Sequence, residues 1–484
     1  MSSIELKNHI DGVWLPGTGA PLESSSPTRP GFVVAHGRQA GPEQLEQAVA
    51  AARRAAAAWA ATPAQSRGAV LLRAAAVIEA NADAWGAELS LEEGKTLPEG
   101  RGEVLRAAQV LRYQAAEGER EAGTVHHSPR AGEQILVTRK PLGVVGIVTP
   151  FNFPIAIPAW KIAPALVHGN TVVWKPASTV PLLAFRLAQA LQEGGLPDGV
   201  LNLVIGPGAL GDILVDHPEV DGLSFTGSTA VGRSLAAKAA ARGVPVQAEM
   251  GGKNAAVVLS DADQDLALEQ VLLGAFRSSG QKCTATSRLI IQEQIADAFL
   301  ERLAARVAAL HTGDPLEDGV DLGPVISDGA RKSIQGAARA AIDAGARLLA
   351  GGPDARVPET GHFVAPTLVE IDEDGPLWRD ELFGPVLTVR RAATVEDAFA
   401  LANDSEFGLS AALFTQDLTH ALEGLEGLDV GVLHVNSESA GADPHVPFGG
   451  AKKSGYGPKE QGQAAREFFT HTTTVYLQGG KARA

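Results

Sequence analysis

The sequence predicts an α/β fold in which a mostly parallel sheet is covered by helices on both faces. Three observations predict it. From about residue 134 onward, strand-like and helix-like segments alternate. The strand-like segments, such as Gly143-Val-Val-Gly-Ile-Val-Thr149 and Thr171-Val-Val-Trp-Lys175, are near-continuous apolar runs. Strands buried on both faces read this way, and parallel neighbours need helical crossovers. Finally, Gly206-Pro-Gly-Ala-Leu-Gly211 follows a strand and opens a helical stretch.

The first third reads as helical after a short strand-like start. Leu45–Trp59, Gln65–Asn81 and Arg101–Glu117 carry apolar residues at helical spacing. The Ala-rich stretch Ala48–Ala61 is interrupted by Arg53, Arg54 and Trp59, so it reads as helix rather than low complexity. Gln134–Lys140, Gly143–Thr149, Thr171–Lys175, Val200–Ile205, Gly222–Thr226 and Val244–Glu249 read as strands. Leu182–Glu193 and Ala230–Arg242 are helical connections between them. From Asn254 the alternation resumes with a strand at Ala255–Leu259, a helix through Phe276 and a strand at Arg288–Ile291, which indicates a second α/β unit. The β-branched run Thr472–Leu477 comes after the globular part is complete, where a strand often pairs outside its own domain.

A length of 484 residues suggests about three domains at roughly 150 residues each. The hydrophobic fraction of 45% is ordinary for a globular chain and supplies a large core. A net charge of -15 argues against nucleic acid or an anionic membrane as main partner. It leaves room for an anionic small molecule, because a local site can oppose the global field. The N-terminus lacks a basic flank with an apolar core, and no apolar run approaches roughly 18 residues, so neither a signal peptide nor a membrane span is expected. The chain has one cysteine, which fits the reducing cytoplasm.

That cysteine, Cys283, follows Ser278-Ser-Gly-Gln-Lys282. A lone thiol makes no intramolecular disulfide and no multi-cysteine metal site, so it is either a packed small hydrophobe or a reactive nucleophile. The polar, turn-forming flank places it at the edge of a loop and favours the second reading. Glu249, where a strand runs into two glycines, reads as a general base or a solvated loop residue. Asn152, pinned between Pro150 and Pro154 at a strand end, reads as an oxyanion donor or a turn asparagine.

Gly206–Gly211 fits Gly-x-Gly-x-x-Gly, either a dinucleotide phosphate loop or a tight strand-to-helix turn; Pro207 removes one backbone donor from the cradle. Phe225-Thr-Gly-Ser-Thr229 is a second candidate, with Ser228 and Thr229 either capping a helix or facing a bound phosphate. Asp261-Ala-Asp-Gln-Asp265 fails as a calcium loop because Leu266 and Leu272 stand where Gly and Glu are needed, so these acids are expected to cap a helix. His126-His127 has no partner ligands at metal-binding spacing, and no metal is expected.

Together these segments resemble the aldehyde dehydrogenase superfamily over nearly the whole chain. The resemblance is carried by Thr149-Pro-Phe-Asn-Phe-Pro154, Trp174-Lys-Pro-Ala-Ser178, Phe225-Thr-Gly-Ser-Thr229, Glu249-Met-Gly-Gly-Lys-Asn254, Gly280-Gln-Lys-Cys283, Glu381-Leu-Phe-Gly-Pro385 and Pro447-Phe-Gly-Gly-Ala-Lys-Lys-Ser-Gly455, all in order. It implies a Rossmann-type dinucleotide-binding domain (residues 1–125 and 143–252), an α/β catalytic domain (253–450) and a small β oligomerisation segment (126–142 and 464–484) that pairs with a neighbouring subunit. A homodimer or homotetramer is implied.

The resemblance also implies roles. Cys283 would attack the aldehyde carbon, and the oxyanion would rest on Asn152 and the Cys283 backbone N–H. Glu249 would activate the water that hydrolyses the thioester. Lys175 and Glu381 would hold the two ribose groups of NAD or NADP, and Gly227 and Ser228 the pyrophosphate. Thr149, Pro150, Gly208 and Phe383 would also meet the cofactor. Ser178 stands where many NAD-preferring members have Glu, so NADP is expected to be accepted. Arg277, six residues before Cys283, matches an arginine that grips a substrate carboxylate in succinic-semialdehyde-type members, or else forms a structural ion pair. Those members carry a second arginine where this chain has Trp160. The stretches Ile155–Lys161 and Glu92–Glu117 look closest to 2-oxoglutarate semialdehyde (2,5-dioxopentanoate) dehydrogenases. An acidic small-molecule aldehyde is the expected substrate, with succinate semialdehyde or another semialdehyde as the alternative. A CoA-acylating relative is disfavoured by Glu249, and a non-catalytic one by the intact Cys283, Glu249, Asn152 and Lys175 set.

Overall fold

The computed structural model describes residues 3–120 and 122–480. An eight-stranded sheet forms the first layer. Its strands run in the order Gly455–Tyr456, Val246–Glu249, Gly222–Thr226, Val144–Val148, Thr171–Lys175, Leu201–Leu203, Asn8–Ile10 and Val13–Leu15. The middle five are mutually parallel, and the edges are antiparallel. The expected strands Val144–Val148, Thr171–Lys175 and Gly222–Thr226 are buried throughout. Their apolar runs reflect helices on both faces.

The strand order reverses between Val144–Val148 and Gly222–Thr226, which are neighbours in the sheet although the strands Thr171–Lys175 and Leu201–Leu203 lie between them in the chain. At such a switch point the connections leave toward opposite faces, and a crevice opens beyond the carboxyl ends of the two strands. Thr149-Pro150 and Gly227-Ser228 are the residues that emerge there.

A seven-stranded sheet follows, in the order Arg347–Ala350, Thr367–Glu370, Val386–Ala392, Thr286–Gln292, Asn254–Val258, Ser410–Phe414 and Val432–Val435. Only its first pair is antiparallel. This is the second α/β unit that the alternation predicts. The late strand, Thr470–Gln478, pairs antiparallel with Glu133–Pro141, which also pairs with Gly123–His127. His126 and His127 are exposed on that outer strand.

The helix Ala82–Glu93 is not evident in the sequence. Gly86 in its middle lowers helix propensity, but a Cβ there would lie 2.8 Å from the Arg101 backbone of the neighbouring helix, so packing requires the glycine. Among the described residues Asp263 caps Gln264–Phe276, accepting from Asp265 and Leu266 N–H, as the rejected calcium motif suggests. No helix among the described residues is long and apolar enough to cross a membrane, and no cluster of metal-ligating side chains occurs among them.

Candidate active site

The Cys283 loop connects the helix Gln264–Phe276 to the strand Thr286–Gln292. Its backbone is unusual. Ser278, Ser279 and Gly280 have φ of 54°, 52° and 69°, three left-handed residues in a row. Non-glycine residues resist this conformation, at about 1–2 kcal/mol each. Surrounding contacts hold it. Glu99 accepts from the Ser278 N–H at 2.7 Å, and the Ser279 hydroxyl donates to the Gly323 carbonyl at 2.7 Å. Gly280 is obligatory, because a Cβ would lie 2.3 Å from the Gly384 carbonyl oxygen. The Gln281 side chain accepts from Ile326 N–H at 2.9 Å.

The loop ends with Cys283 half-buried where two cavities meet. Burial pushes its thiol up to about 12, and the carboxylates of Glu249, Glu381 and Glu460 push in the same direction. The thiol therefore rests neutral, and a base or a nearby positive charge is needed to expose its nucleophilic form.

Asn152 is buried beside it. Its side-chain amide donates to the Gln281 carbonyl at 2.9 Å, which uses one of its two N–H groups. Its own carbonyl accepts from Lys95. Lys95 also pairs with Glu103 at 2.7 Å, and Glu103 accepts from the Ile155 and Ala156 N–H groups at 3.1 and 3.3 Å. The turn carrying Asn152 is thus held on both sides by a buried ion pair.

Glu249 ends the strand Val246–Glu249, opposite Gly455 of the edge strand. Its carboxylate accepts from Gly450 N–H at 3.1 Å, and a Cβ at Gly449 would come within 2.3 Å of it. Burial raises its pKa well above the usual carboxylate range, Glu460 raises it further, and Lys459 and Lys161 oppose the rise. Lys161 is paired with Glu460 and donates to Ser224 Oγ and the Phe225 carbonyl at 3.0 and 3.1 Å. Glu249 lies outside the linings of both cavities and acts on Cys283 through charge.

The larger cavity, about 510 Å³, is the switch-point crevice. Thr149, Pro150, Asn152, Lys175, Gly208, Gly227, Ser228, Glu381 and Phe383 all line it. Burial lowers the Lys175 pKa to about 8 and raises that of Glu381 to about 7. Ser228 is the N-cap of the helix Thr229–Ala241 but makes no capping bond, and the buried Thr226 and Thr229 hydroxyls have no partner. Unused donors at a helix N-terminus in a switch-point crevice suit a dinucleotide pyrophosphate. Ser178 is half-buried one residue beyond Ala177, which lines the crevice. Of the Gly206–Gly211 motif, Gly208 and Gly211 reach the lining.

The second cavity, about 460 Å³, lies on the other side of Cys283. Trp160, Phe153 and Phe448 form an apolar wall, with the Trp160 and Phe448 rings 5.7 Å apart. Arg277 lines the same cavity and is half-exposed, 3.2 Å from Glu438. Its place beside the thiol fits the carboxylate-gripping reading and its contact with Glu438 fits the rival ion-pair reading. The sequence reading missed Arg106 and Glu438, which also line this cavity, and the Lys95–Glu103 and Lys161–Glu460 pairs. A helical face carrying Glu99, Glu103 and Arg106 at spacings of four and three was the available signal. It was cut short by starting that helix at Arg101 instead of Leu97.

Residues 14–475 match the model of the aldehyde dehydrogenase family. The chain is 40% identical over 476 residues to the alpha-ketoglutaric semialdehyde dehydrogenase of Bacillus subtilis, covering 97% of this chain and 98% of the relative. It is 39% identical, with the same coverage, to the alpha-ketoglutarate semialdehyde dehydrogenase of Haloferax volcanii. The crystal structure of PnpE in complex with nicotinamide adenine dinucleotide superposes with a TM-score of 0.94 at 35% identity, over 99% of this chain and 98% of that one. A match of this length, over a fold whose switch-point crevice opens onto a single half-buried thiol, establishes that the chain belongs to the aldehyde dehydrogenase family.

Proposed function

We propose that this aldehyde dehydrogenase oxidises 2-oxoglutarate semialdehyde to 2-oxoglutarate, with NAD or NADP as acceptor. One observation carries the choice of an acidic aldehyde: Arg277 and Cys283 line the same cavity of about 460 Å³. A carboxylate held by the guanidinium fork would leave the aldehyde end free to reach the thiol. The two semialdehyde dehydrogenase relatives support the same substrate.

In this reading the Cys283 thiol gives up its proton to solvent and adds as the thiolate to the aldehyde carbon, giving a thiohemiacetal. Its oxyanion is met by the second N–H of the Asn152 amide and the backbone N–H of Cys283. Thr149, Pro150, Lys175, Gly208, Gly227, Ser228, Glu381 and Phe383 would hold the dinucleotide, whose nicotinamide would supply the hydride acceptor. The thioester left on Cys283 is attacked by water, Glu249 takes the proton of that water, and the acid departs as the thiol is restored. A raised carboxylate pKa suits Glu249 to that task near neutral pH. Ser178 removes the acidic group that would repel a 2′-phosphate, so NADP is accepted.

Residues 1–125 and 143–252 would hold the dinucleotide and 253–450 the thiol, while 126–142 and 464–484 would join copies into a homodimer or homotetramer in the cytoplasm. Residues 481–484 of that last segment lie outside the described residues. Val125 and Tyr476 on the three-stranded sheet are 74% and 58% exposed, as an oligomer surface requires.

A panel of semialdehydes and betaine aldehyde, assayed with both cofactors, tests the reading. The highest kcat/KM is expected for 2-oxoglutarate semialdehyde. Equal or better use of betaine aldehyde would overturn the acidic-substrate choice, and a large NAD preference would overturn the Ser178 argument.

A further inference from the structure

The charged groups around the substrate cavity differ in how firmly they are paired. Glu103 is committed to Lys95 and to two backbone N–H groups. Glu99 is committed to the Thr96 cap of its own helix and to the Ser278 N–H, and its contact with Arg277 is a long 3.9 Å. Three cations of the lining remain, Arg106, Arg277 and Lys282. Two carboxylates face them, Glu438 and Asp443. Glu438 is shared between Arg277 at 3.2 Å and Lys282 at 3.6 Å. Asp443 reaches Arg106 only at 3.5 Å. The lining carries four cations and four carboxylates, and Arg106, which also donates to Gln109 at 2.7 Å, is the cation whose carboxylate partner is mostly exposed.

Arg106 is also well placed for a ligand. It projects from the helix Leu97–Glu117, on a different element from Arg277, and its side chain is only 24% exposed. Trp160, a buried residue of the same lining, has an indole N–H with no hydrogen-bond partner. Arg106 and Arg277 thus bring two guanidinium groups to one cavity from separate elements.

We propose that Arg106 is a second carboxylate-binding residue of the substrate cavity, acting with Arg277 on the acidic tail and exchanging Asp443 for the substrate. The proposal rests on the acidic-aldehyde reading above and names a residue that reading does not contain. A planar guanidinium loses little on trading an exposed aspartate for a ligand carboxylate, and it gains a buried, bidentate partner.

The test compares 2-oxoglutarate semialdehyde with pentanal in Arg106→Ala, Arg277→Ala, Arg106→Lys and Asp443→Asn. Arg106→Ala is expected to raise KM for the acidic aldehyde roughly 10- to 100-fold, the range of a lost charged hydrogen bond, with kcat and pentanal turnover within about threefold. Arg106→Lys should recover part of the loss. Asp443→Asn, which frees the guanidinium, should leave KM for the acidic aldehyde unchanged or lower it. A merely structural ion pair predicts the opposite, that Asp443→Asn mimics Arg106→Ala, and that result overturns the proposal. Loss of acid preference in Arg277→Ala but not in Arg106→Ala also overturns it while leaving the substrate reading intact. A wild-type enzyme that uses pentanal as well as the acidic aldehyde overturns both.

Discussion

The side-chain amide of Asn152 donates to the carbonyl of Gln281 at 2.9 Å, 129 residues away in sequence and two before Cys283. This bond ties the strand-end turn of the first sheet to the cysteine loop of the second. It fixes the amide plane and leaves one N–H for the site.

Asn152→Ala removes that tie and the remaining donor together. Loss of one preorganised oxyanion donor costs about 10²- to 10³-fold in kcat. Steady-state kinetics should show this fall, with cofactor affinity unchanged in a fluorescence titration. A kcat within threefold of wild type would remove Asn152 from the chemistry.

The pH profile reports on Glu249. Its pKa is raised, first by burial and then by Glu460, so its deprotonated form is populated only above the ordinary carboxylate range. The kcat of a step that needs this base rises with pH on the acid side, with its inflection displaced upward. Glu460→Gln removes a like charge and should shift that inflection to lower pH. Glu249→Gln should preserve a stoichiometric burst of reduced cofactor while turnover collapses, because the thioester forms and is not hydrolysed. A rapid-mix absorbance trace distinguishes a burst from none.

Thiol chemistry reports on Cys283 alone, since the chain has no other cysteine. With the thiol pushed up to about 12 by burial and neighbouring carboxylates, the thiolate fraction at neutral pH is small. Iodoacetamide inactivation of the cofactor-free enzyme should therefore accelerate continuously from pH 7 to 10, about tenfold per unit, without a plateau. Cys283→Ala should abolish oxidation and leave cofactor binding in place. A plateau in the alkylation rate near neutral pH would show an already ionised thiol.

Buried acids at the end of the helix Ala82–Glu93 set a pH dependence of stability. Burial raises the Glu93 pKa to about 8, and both of its carboxyl oxygens lack hydrogen-bond partners. Its unfolded value is near 4.5. Between these values the folded chain holds a proton that the unfolded chain releases. Stability from this group is full below the lower value and is lost as pH rises toward the upper one, by about 1.4 kcal/mol per unit. Glu93→Gln removes that dependence. Its Tm relative to wild type should be higher at pH 8 than at pH 5.5. An equal difference at both pH values would mean that Glu93 is ionised in the folded chain.

Much of this architecture was legible in local pattern. Apolar runs such as Thr171–Lys175 announced strands covered on both faces, and the turns after Val148 and Thr226 announced the crevice. The polar run before Cys283 announced a loop. The helix Ala82–Glu93 was illegible because Gly86 serves packing against Arg101 rather than helix propensity. The helical face that carries Glu99, Glu103 and Arg106 was legible as a face, but whether Arg106 on it meets solvent or a cavity was not, because the local pattern is the same in both cases.

By itself the sequence determined the fold class, the order of the motifs and the identity of the lone thiol, because these follow from periodicity, turn chemistry and composition. Only the tertiary structure decided which charges confront one another. Lys161 and Glu460 are 299 residues apart and form a buried pair near Glu249, and Arg106 and Arg277 come from separate elements to one cavity. Electrostatic interaction depends on distance through space and on burial, and local sequence records neither for residues so far apart in the chain.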